Sequence, residues 1–343
     1  MKNTVKTFSA ILLLLALLSS CGSKEAYEDR VIFGMDTYIT LRVPKGELSS
    51  ADLDEVEQKC AYIVAKNEKL MSSHSEDSVI YGLNGKVDTV IGADEALLTV
   101  IDASLRIEEL TGGAFSPALG ELTELWNVAG GGPVPSEEDI AEAMKKISSA
   151  SIKTEDGNIK IENNGCRIDL GGIAKGYTAQ EMVEYLASTD LSYGLVSVGG
   201  NVGVFGTKED GEKFKVGISD PDNTSSVVGY VYMSSGFLAV SGDYERYFEE
   251  NGKRYHHIID PATGYPAESG LRSVAVLSNN GTYADALSTA LFVMGVDEAM
   301  KLYSDGRVSF EAIFLTDSGE IVLTDGLKNG AFELNSKKYK IAS

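Results

Sequence analysis

Hydrophobic and polar residues recur along this chain with two different periods, which predicts helices interleaved with short strands. Apolar residues spaced three or four apart predict helices over residues 49–71, 93–110, 282–294 and 297–304, with further helices after Ser136 and ending near residue 187. Short runs rich in β-branched residues predict strands over 31–43, 195–202, 213–219, 227–233, 238–241, 254–259, 272–278, 310–315 and 320–323. The pattern therefore indicates a mixed protein with helices and strands throughout.

The first thirty residues have a different character. Residues 1–20 combine Lys2 and Lys6 with an apolar run over 11–18, which is too short for a usual membrane span and typical of a signal peptide. The tetrapeptide that ends at Cys21 resembles a bacterial lipobox, whose cysteine is lipidated; an ordinary signal peptide with a chance cysteine is the alternative. We therefore expect a signal peptide over 1–20, a lipidated N-terminus and spacer over 21–30, and one domain over 31–343.

Composition narrows the class of protein. A formal net charge of −21 disfavours binding to nucleic acid. With Cys21 lipidated, only Cys60 and Cys166 remain, too few for a disulfide scaffold. Cys60 falls on the apolar stripe of a predicted helix, and the single tryptophan, Trp126, is expected in the core. A lipid anchor predicts a location in the bacterial cell envelope, on the extracytoplasmic side of a membrane.

One stretch with candidate chemistry covers residues 254–295. Asp285 and Thr289 are four residues apart on a predicted helix, so their oxygens can meet one hard cation such as Mg²⁺. Such pairs occur by chance on many solvated helices. His256 and His257 alternate on a predicted strand, so one faces a cleft and the other its back.

A second stretch, RIDLGGIAKGY over residues 167–177, has a glycine turn before a helix. Glycines let a backbone approach a ligand, and a helix N-terminus offers free N–H groups and partial positive charge to a diphosphate. Lys175 adds a formal charge. The spacing matches neither a P-loop nor a dinucleotide-binding fingerprint, so the residues alone favour a structural turn.

Together these stretches resemble the ApbE family, the FAD:protein FMN transferases. The motifs that carry the resemblance are, in chain order, GAFSP, DLGGIAKG, VGGN, SGDYER, HHIIDPATGYP and ADALSTALFVMG. The resemblance implies an α+β fold of the ApbE type, related to the T-fold, with mixed, mostly antiparallel sheets and packed helices. It also implies FAD as the substrate and Mg²⁺ as the cofactor.

The resemblance suggests a role for individual residues. It implies that Asp285, Thr289 and the carbonyl of Gly172 bind the metal, with the carbonyl of Ala174 as the alternative. The implied FAD contacts are Met35, His74, Ala114, Phe115, Ser116, Asp169 and Lys175. Two positions depart from the family pattern, since Asp36 replaces a glycine and Ser116 replaces an aspartate. Without the family, Met35 is a core methionine, and His74 is equally well an exposed loop histidine.

The implied reaction moves FMN from FAD to a threonine or serine hydroxyl of a target protein through a phosphoester bond, with release of AMP. His257 is the implied base, although a structural histidine is the alternative, and Asp260 would orient its imidazole or cap the turn. Hydrolysis of FAD to FMN and AMP, or flavin binding without turnover, are the alternative functions. The chain has no flavin-acceptor motif of its own. We therefore expect the target to be another extracytoplasmic flavoprotein, such as a subunit of an ion-pumping redox complex.

Overall fold

The computed structural model describes residues 27–148, 151–162, 166–208 and 210–342. Cys21 and the expected signal peptide lie outside these residues. Within the described ranges, no helix combines the length and the apolar character needed to cross a bilayer.

Seven α-helices and seventeen strands form the described part of the chain. The helices are α1 (Ser50–Met71), α2 (Val79–Leu83), α3 (Glu95–Leu110), α4 (Gly120–Trp126), α5 (Glu137–Ser148), α6 (Ala174–Ala187) and α7 (Gly281–Asp305). The strands are β1 (Tyr27–Gly34), β2 (Thr37–Pro44), β3 (Thr89–Gly92), β4 (Ser151–Glu155), β5 (Asn158–Glu162), β6 (Tyr193–Val198), β7 (Asn201–Gly206), β8 (Phe214–Asp220), β9 (Asn223–Met233), β10 (Gly236–Gly242), β11 (Tyr247–Glu250), β12 (Lys253–His256), β13 (Leu271–Ser278), β14 (Glu311–Thr316), β15 (Glu320–Leu323), β16 (Phe332–Leu334) and β17 (Lys340–Ile341).

A nine-stranded sheet organises the molecule. Its strand order is β1-β2-β6-β7-β10-β13-β14-β15-β17, and every pair in it is antiparallel except the short β15–β17 pair. Two three-stranded sheets, β16-β9-β8 and β3-β5-β4, and the β11-β12 hairpin complete the described strands. The α+β, mostly antiparallel fold expected from the sequence is confirmed.

The large sheet is buried on both faces. Helices α1, α3, α6 and α7 cover one face, where Val196 and Val198 of β6 join the main core. Strands β8, β9 and β16 cover the other face, where Leu195 of β6 packs. Because both faces are covered, β6 is buried along its whole length and reads as a continuous apolar run.

Two predicted strands are hairpins. The run over 31–43 folds back at Met35 and Asp36, whose φ angles of 52° and 56° form the two-residue turn that suits a hairpin. Strand β1 also begins at Tyr27, within the residues assigned to the spacer. The run over 195–202 turns at Gly199, where φ is 61°.

Two boundaries differ from the prediction in ways that affect the site. Helix α7 begins at Gly281, one residue before the predicted start, and Asn280 caps it by accepting a hydrogen bond of 2.8 Å from the Tyr283 amide. A non-helical Gly295, with φ 72° and ψ 174°, interrupts α7 where the sequence predicted two helices. Strand β12 ends at His256, so His257 lies just beyond it.

The expected core residues are buried. Trp126 and Cys60 have no exposed surface, and the indole of Trp126 donates a hydrogen bond of 2.8 Å to the Gly264 carbonyl. That bond ties α4 to the turn that follows the two histidines. Cys60 and Cys166 are both free thiols.

Candidate active site

Helices α6 and α7 meet at two glycines. A Cβ atom on Gly176, in the first turn of α6, would lie 2.2 Å from the Gly281 carbonyl oxygen and 2.5 Å from Asp285 Cβ. A Cβ atom on Gly281 would lie 2.8 Å from the Gly176 carbonyl oxygen. This close approach brings the Gly176 amide to 2.8 Å from Asp285 Oδ2. Glycine is therefore required here for the carboxylate of α7 to reach the start of α6.

Both carboxylate oxygens of Asp285 accept hydrogen bonds. Oδ2 accepts from the Gly176 amide, and Oδ1 accepts from Asn201 Nδ2 at 3.2 Å. The side chain is buried, with 5% of the residue exposed. Burial raises the pKa of Asp285, while the charge of Lys175 and these two hydrogen bonds lower it. The two hydrogen bonds fix the orientation of the carboxylate.

Gly172 and Thr289, two of the three predicted metal ligands, lie close together, and Asp285 is one helical turn before Thr289 on α7. A Cβ atom on Gly172 would lie 3.4 Å from Thr289 Oγ1, which is itself 3.2 Å from Ser241 Oγ. Because the Gly176 amide donates to Asp285, it does not close the helical bond to the Gly172 carbonyl. The Ala174 carbonyl, by contrast, accepts from Thr178 Oγ1 at 2.8 Å. This geometry favours Gly172 over Ala174 as the third ligand.

These donors suit a hard divalent cation. A carboxylate, a hydroxyl and a carbonyl oxygen are ligands that Mg²⁺ accepts, with water and substrate phosphates in its other positions. In the described part of the chain, no group of three or more His, Cys, Asp or Glu side chains is placed to bind a metal. The buried Oδ1 of Asn201, beside Asp285, also has no hydrogen-bond partner there. The residues fit an ion that shares its coordination with the substrate.

The two histidines have different environments. His256 is buried, and its ring is 5.5 Å from the Phe292 ring in an edge-to-face contact. Its Nε2 lies 3.0 Å from the Ala267 carbonyl, and its Nδ1 accepts from the Ile258 amide at 3.3 Å. With both ring nitrogens used by the backbone, His256 is structural.

His257 keeps one ring nitrogen available. Its Nδ1 lies 3.3 Å from the Arg246 carbonyl, which also accepts from the His257 amide at 3.1 Å. A proton on Nδ1 leaves the lone pair on Nε2. The ring is partly exposed, and burial lowers the pKa of His257 to about 3, with the charge of Arg246 acting in the same direction. His257 is therefore neutral near pH 7, as a base must be.

Asp260 caps the turn and does not contact the imidazole. Its Oδ1 accepts from the Ala262 amide at 2.8 Å, and its Oδ2 accepts from Thr263 Oγ1 at 3.2 Å. Of the two roles left open by the sequence, the turn cap is the observed one.

Lys175 provides the positive charge of the site. Its Nζ donates to the Gly171 carbonyl at 2.9 Å, and its charge lowers the pKa of Asp285, Glu245 and His257.

Glu245 is a member of the site that the sequence did not predict. Burial raises the pKa of Glu245 to about 7, while the charges of Lys175 and Arg246 lower it. Its position in SGDYER, beside Arg246, was the available signal.

The predicted FAD contacts are spread around α6. Met35, at the β1–β2 turn, accepts from Thr178 Oγ1 at 3.4 Å, and Phe115 is buried against Gly172. Asp169 joins two motifs, since its Oδ1 accepts from the Gly171 amide at 2.7 Å and its own amide donates to the Pro117 carbonyl at 2.9 Å.

Three further predicted contacts lie in loops. Ala114 is half-buried, and Ser116 is buried with its Oγ accepting from the Ala118 amide at 3.2 Å. His74 is exposed after α1, and its amide donates to Ser72 Oγ at 3.2 Å. This exposure fits the loop interpretation of His74, and a flavin contact there stays a prediction.

Comparison with known proteins identifies the family. The model of the ApbE family matches residues 35–314. The chain is 32% identical over 313 residues to the FAD:protein FMN transferase of Treponema pallidum, covering 84% of this chain and 85% of that protein. It is 30% identical over 297 residues to the enzyme of the same name from Haemophilus influenzae, covering 82% and 85%.

Solved structures agree with the sequence relatives. The ApbE protein of Thermotoga maritima is similar with a TM-score of 0.80 at 34% identity, covering 88% of this chain and 98% of that one. The flavin transferase ApbE of Vibrio cholerae is similar with a TM-score of 0.76 at 25% identity, covering 88% and 99%. The chain belongs to the ApbE family.

Proposed function

We propose that this protein transfers FMN from FAD to a threonine or serine hydroxyl of a target protein, with release of AMP, and uses Mg²⁺ held by Gly172, Asp285 and Thr289. The protein is an FAD:protein FMN transferase, as its curated relatives are. The observation that carries the finer proposal is the convergence of Gly172, Asp285 and Thr289 within reach of the charge of Lys175.

Neutralising the diphosphate is the first requirement of the reaction. When bound, Mg²⁺ would polarise the phosphoryl oxygens and offset the charge on the departing AMP. Lys175 adds a formal positive charge at the same place, and the first turn of α6 adds the positive end of its helix dipole. Because the chain carries a net charge of −21, this local positive field is needed to attract an anionic substrate.

His257 supplies the base. The acceptor oxygen bonds to the phosphorus of the FMN half, the bond from that phosphorus to the bridging oxygen breaks, and AMP leaves with the electron pair. The proton of the acceptor hydroxyl passes to Nε2 of His257, while the Arg246 carbonyl holds Nδ1–H.

Hydrolysis of FAD is a second candidate activity at the same site. The His257 ring is partly exposed, so water can reach Nε2 when no acceptor protein is bound. Water in place of the acceptor hydroxyl gives FMN and AMP.

The acceptor belongs, in this proposal, to an extracytoplasmic flavoprotein, and a lipid on Cys21 holds the enzyme at the membrane. The signal-like segment and the lipobox support this location, and both lie outside the described residues.

The decisive experiment incubates residues 22–343 with FAD and Mg²⁺, with and without a threonine-bearing flavin-acceptor domain. We expect AMP release together with a fluorescent acceptor band, both lost on removal of Mg²⁺ and in Asp285→Ala. Asp297→Ala, an exposed carboxylate of the same helix, is the matched control and should keep both activities.

Other outcomes separate the alternatives. AMP without a labelled acceptor would point to the hydrolase. Tight FAD binding without AMP would reduce the protein to a flavin-binding lipoprotein and refute the proposal.

A further inference from the structure

Trp126 contacts the segment that carries His257 on both sides of the imidazole. Its indole stacks on the Tyr255 ring, with 5.5 Å between the ring centroids and 27° between the planes. Its Nε1–H donates a hydrogen bond of 2.8 Å to the Gly264 carbonyl. Since Tyr255 precedes His257 in the chain and Gly264 follows it, one side chain holds both ends of the segment.

The indole is itself fixed in place. Trp126 has no exposed surface and belongs to a small core cluster, separate from the main core, that also contains Ile259 and Phe248. The Tyr255 ring lies between two aromatic rings, because Phe248 stacks on its other side at 5.2 Å and 18°. An indole that is stacked and fully buried cannot change rotamer without opening the cluster. Its N–H is therefore a fixed donor.

The His257 ring, by contrast, depends on its backbone for its position. The ring is partly exposed, and the 3.3 Å from its Nδ1 to the Arg246 carbonyl is at the long end of the hydrogen-bond range. The backbone is better held, since the His257 amide donates to the Arg246 carbonyl at 3.1 Å and the Asp260 amide donates to the Tyr265 carbonyl at 2.8 Å. The second of these bonds closes the turn that contains Gly264.

We propose that Trp126 is a positioning residue for His257, because its stacking and its hydrogen bond set the backbone from which the imidazole reaches the acceptor hydroxyl. This inference rests on the proposed function, since it takes His257 as the base. The hydrogen bond and ring contacts that fix the indole are to Tyr255, Gly264 and Tyr265, and none of these is a proposed ligand of FAD or Mg²⁺. Trp126 should therefore affect the rate and not the binding of FAD.

The test uses Trp126→Phe, which keeps an aromatic ring and loses the N–H donor. We expect the transfer rate at saturating FAD and acceptor to fall about tenfold, because a shift of about 1 Å between reacting groups is costly. The FAD dissociation constant should change less than about twofold. Tyr339→Phe is the matched control, since it removes a buried hydrogen bond of 2.7 Å to Asp220 on the other face of the large sheet, and it should keep the wild-type rate.

A double-mutant cycle separates positioning from a general structural effect. In the His257→Ala background, Trp126→Phe should change the rate less than about twofold, because the group that the indole positions is gone. The rate recovered by added imidazole should also be the same with and without Trp126→Phe, since free imidazole is not attached to the segment. A loss of about tenfold that persists in the His257→Ala background, or a wild-type rate in Trp126→Phe, would overturn the inference.

A second variant covers the case in which Trp126→Phe does not fold. Tyr255→Leu removes the stacked ring and leaves the indole hydrogen bond to Gly264 in place. It should lower the transfer rate in the same way, and the loss should again disappear in the His257→Ala background. A loss that is independent of His257 would contradict the positioning role.

A measurement without turnover distinguishes failure of the inference from failure of the proposed function. The ring-nitrogen resonances of isotope-labelled histidine, assigned to His257 by their loss in His257→Ala, should shift in Trp126→Phe and stay unchanged in Tyr339→Phe. A wild-type rate in His257→Ala refutes the proposed base and leaves this test of ring placement valid. Unchanged resonances in Trp126→Phe, with a rate that depends on His257, refute the inference and leave the transferase standing.

Discussion

Where α6 meets α7, Gly176 and Gly281 let backbone and side chain touch, and both oxygens of Asp285 are hydrogen-bonded. Just beyond the end of β12, by contrast, the His257 ring is partly exposed, and its Nδ1 lies 3.3 Å from the Arg246 carbonyl. The junction holds groups that must be in place before substrate arrives, because a misplaced metal ligand costs rate. The His257 ring keeps Nε2 available, because its partner in the proposed reaction is the acceptor hydroxyl. The contrast teaches that the metal-binding half of the site is preorganised and that the half with His257 is completed by the acceptor.

The strongest test of the preorganised half is Asp285→Asn. We expect the transfer rate to fall on the order of 10³-fold, because the amide keeps the shape but loses the charge that binds Mg²⁺. The rate is measured by AMP release at saturating FAD over a range of Mg²⁺ concentrations. If Asp285→Asn reaches the wild-type rate at the same Mg²⁺ concentration as the wild-type protein, Asp285 is excluded as a ligand.

His257→Ala tests the half of the site that the acceptor completes. A lost general base should lower the rate on the order of 10²-fold, with the FAD dissociation constant nearly unchanged. Added imidazole should recover part of the rate. If FAD binding and thermal stability fall instead, with the rate per bound FAD intact, His257 is structural like His256.

Gly176→Ala tests how tightly the junction is packed. The added methyl would overlap the Gly281 carbonyl and Asp285 Cβ, so we expect a loss of about 1–3 kcal/mol in the free energy of unfolding. Denaturant unfolding measures the loss. Gly82→Ala in α2, where a Cβ would meet nothing within 4 Å, is the control and should be neutral or slightly stabilising.

The smallest expected effect is a pH dependence of stability. Burial lowers the pKa of His257 below its ordinary value of 6.5. As pH falls, the imidazole is therefore protonated in the unfolded state while it stays neutral in the folded state. Stability therefore falls as pH decreases below about 6.5, and His257→Gln should remove part of that slope. Unfolding free energies between pH 5 and 8 in both proteins measure it. The transfer rate itself should stay flat from pH 8 to 6, because the base remains neutral.

Local sequence patterns were sufficient to predict the relative positions of some site residues. Helical spacing placed Asp285 and Thr289 on one face of α7. The different surroundings of His256 and His257 were expected from strand alternation, but β12 ends at His256, so the turn after it separates the two side chains. The turn at Met35 and Asp36 was missed because a two-residue hairpin turn leaves the apolar alternation unbroken, with Gly34 paired to Thr37.

Other members of the site have no local signal. Asn201 reaches Asp285 across 84 positions, and Ser241 reaches Thr289 across 48.

The sequence by itself determined the helix and strand periods and the glycines that allow close backbone contact. It also determined the residue types that can bind a hard cation and move a proton. Each of these is a property of neighbouring residues in the chain. Only the tertiary structure decided that the Gly176 amide bonds to Asp285 and not to the Gly172 carbonyl, that the Ala174 carbonyl accepts from Thr178 Oγ1, and that Asp260 caps its turn. Those facts depend on where distant segments meet, since a hydrogen bond forms with whichever group folding brings within about 3 Å.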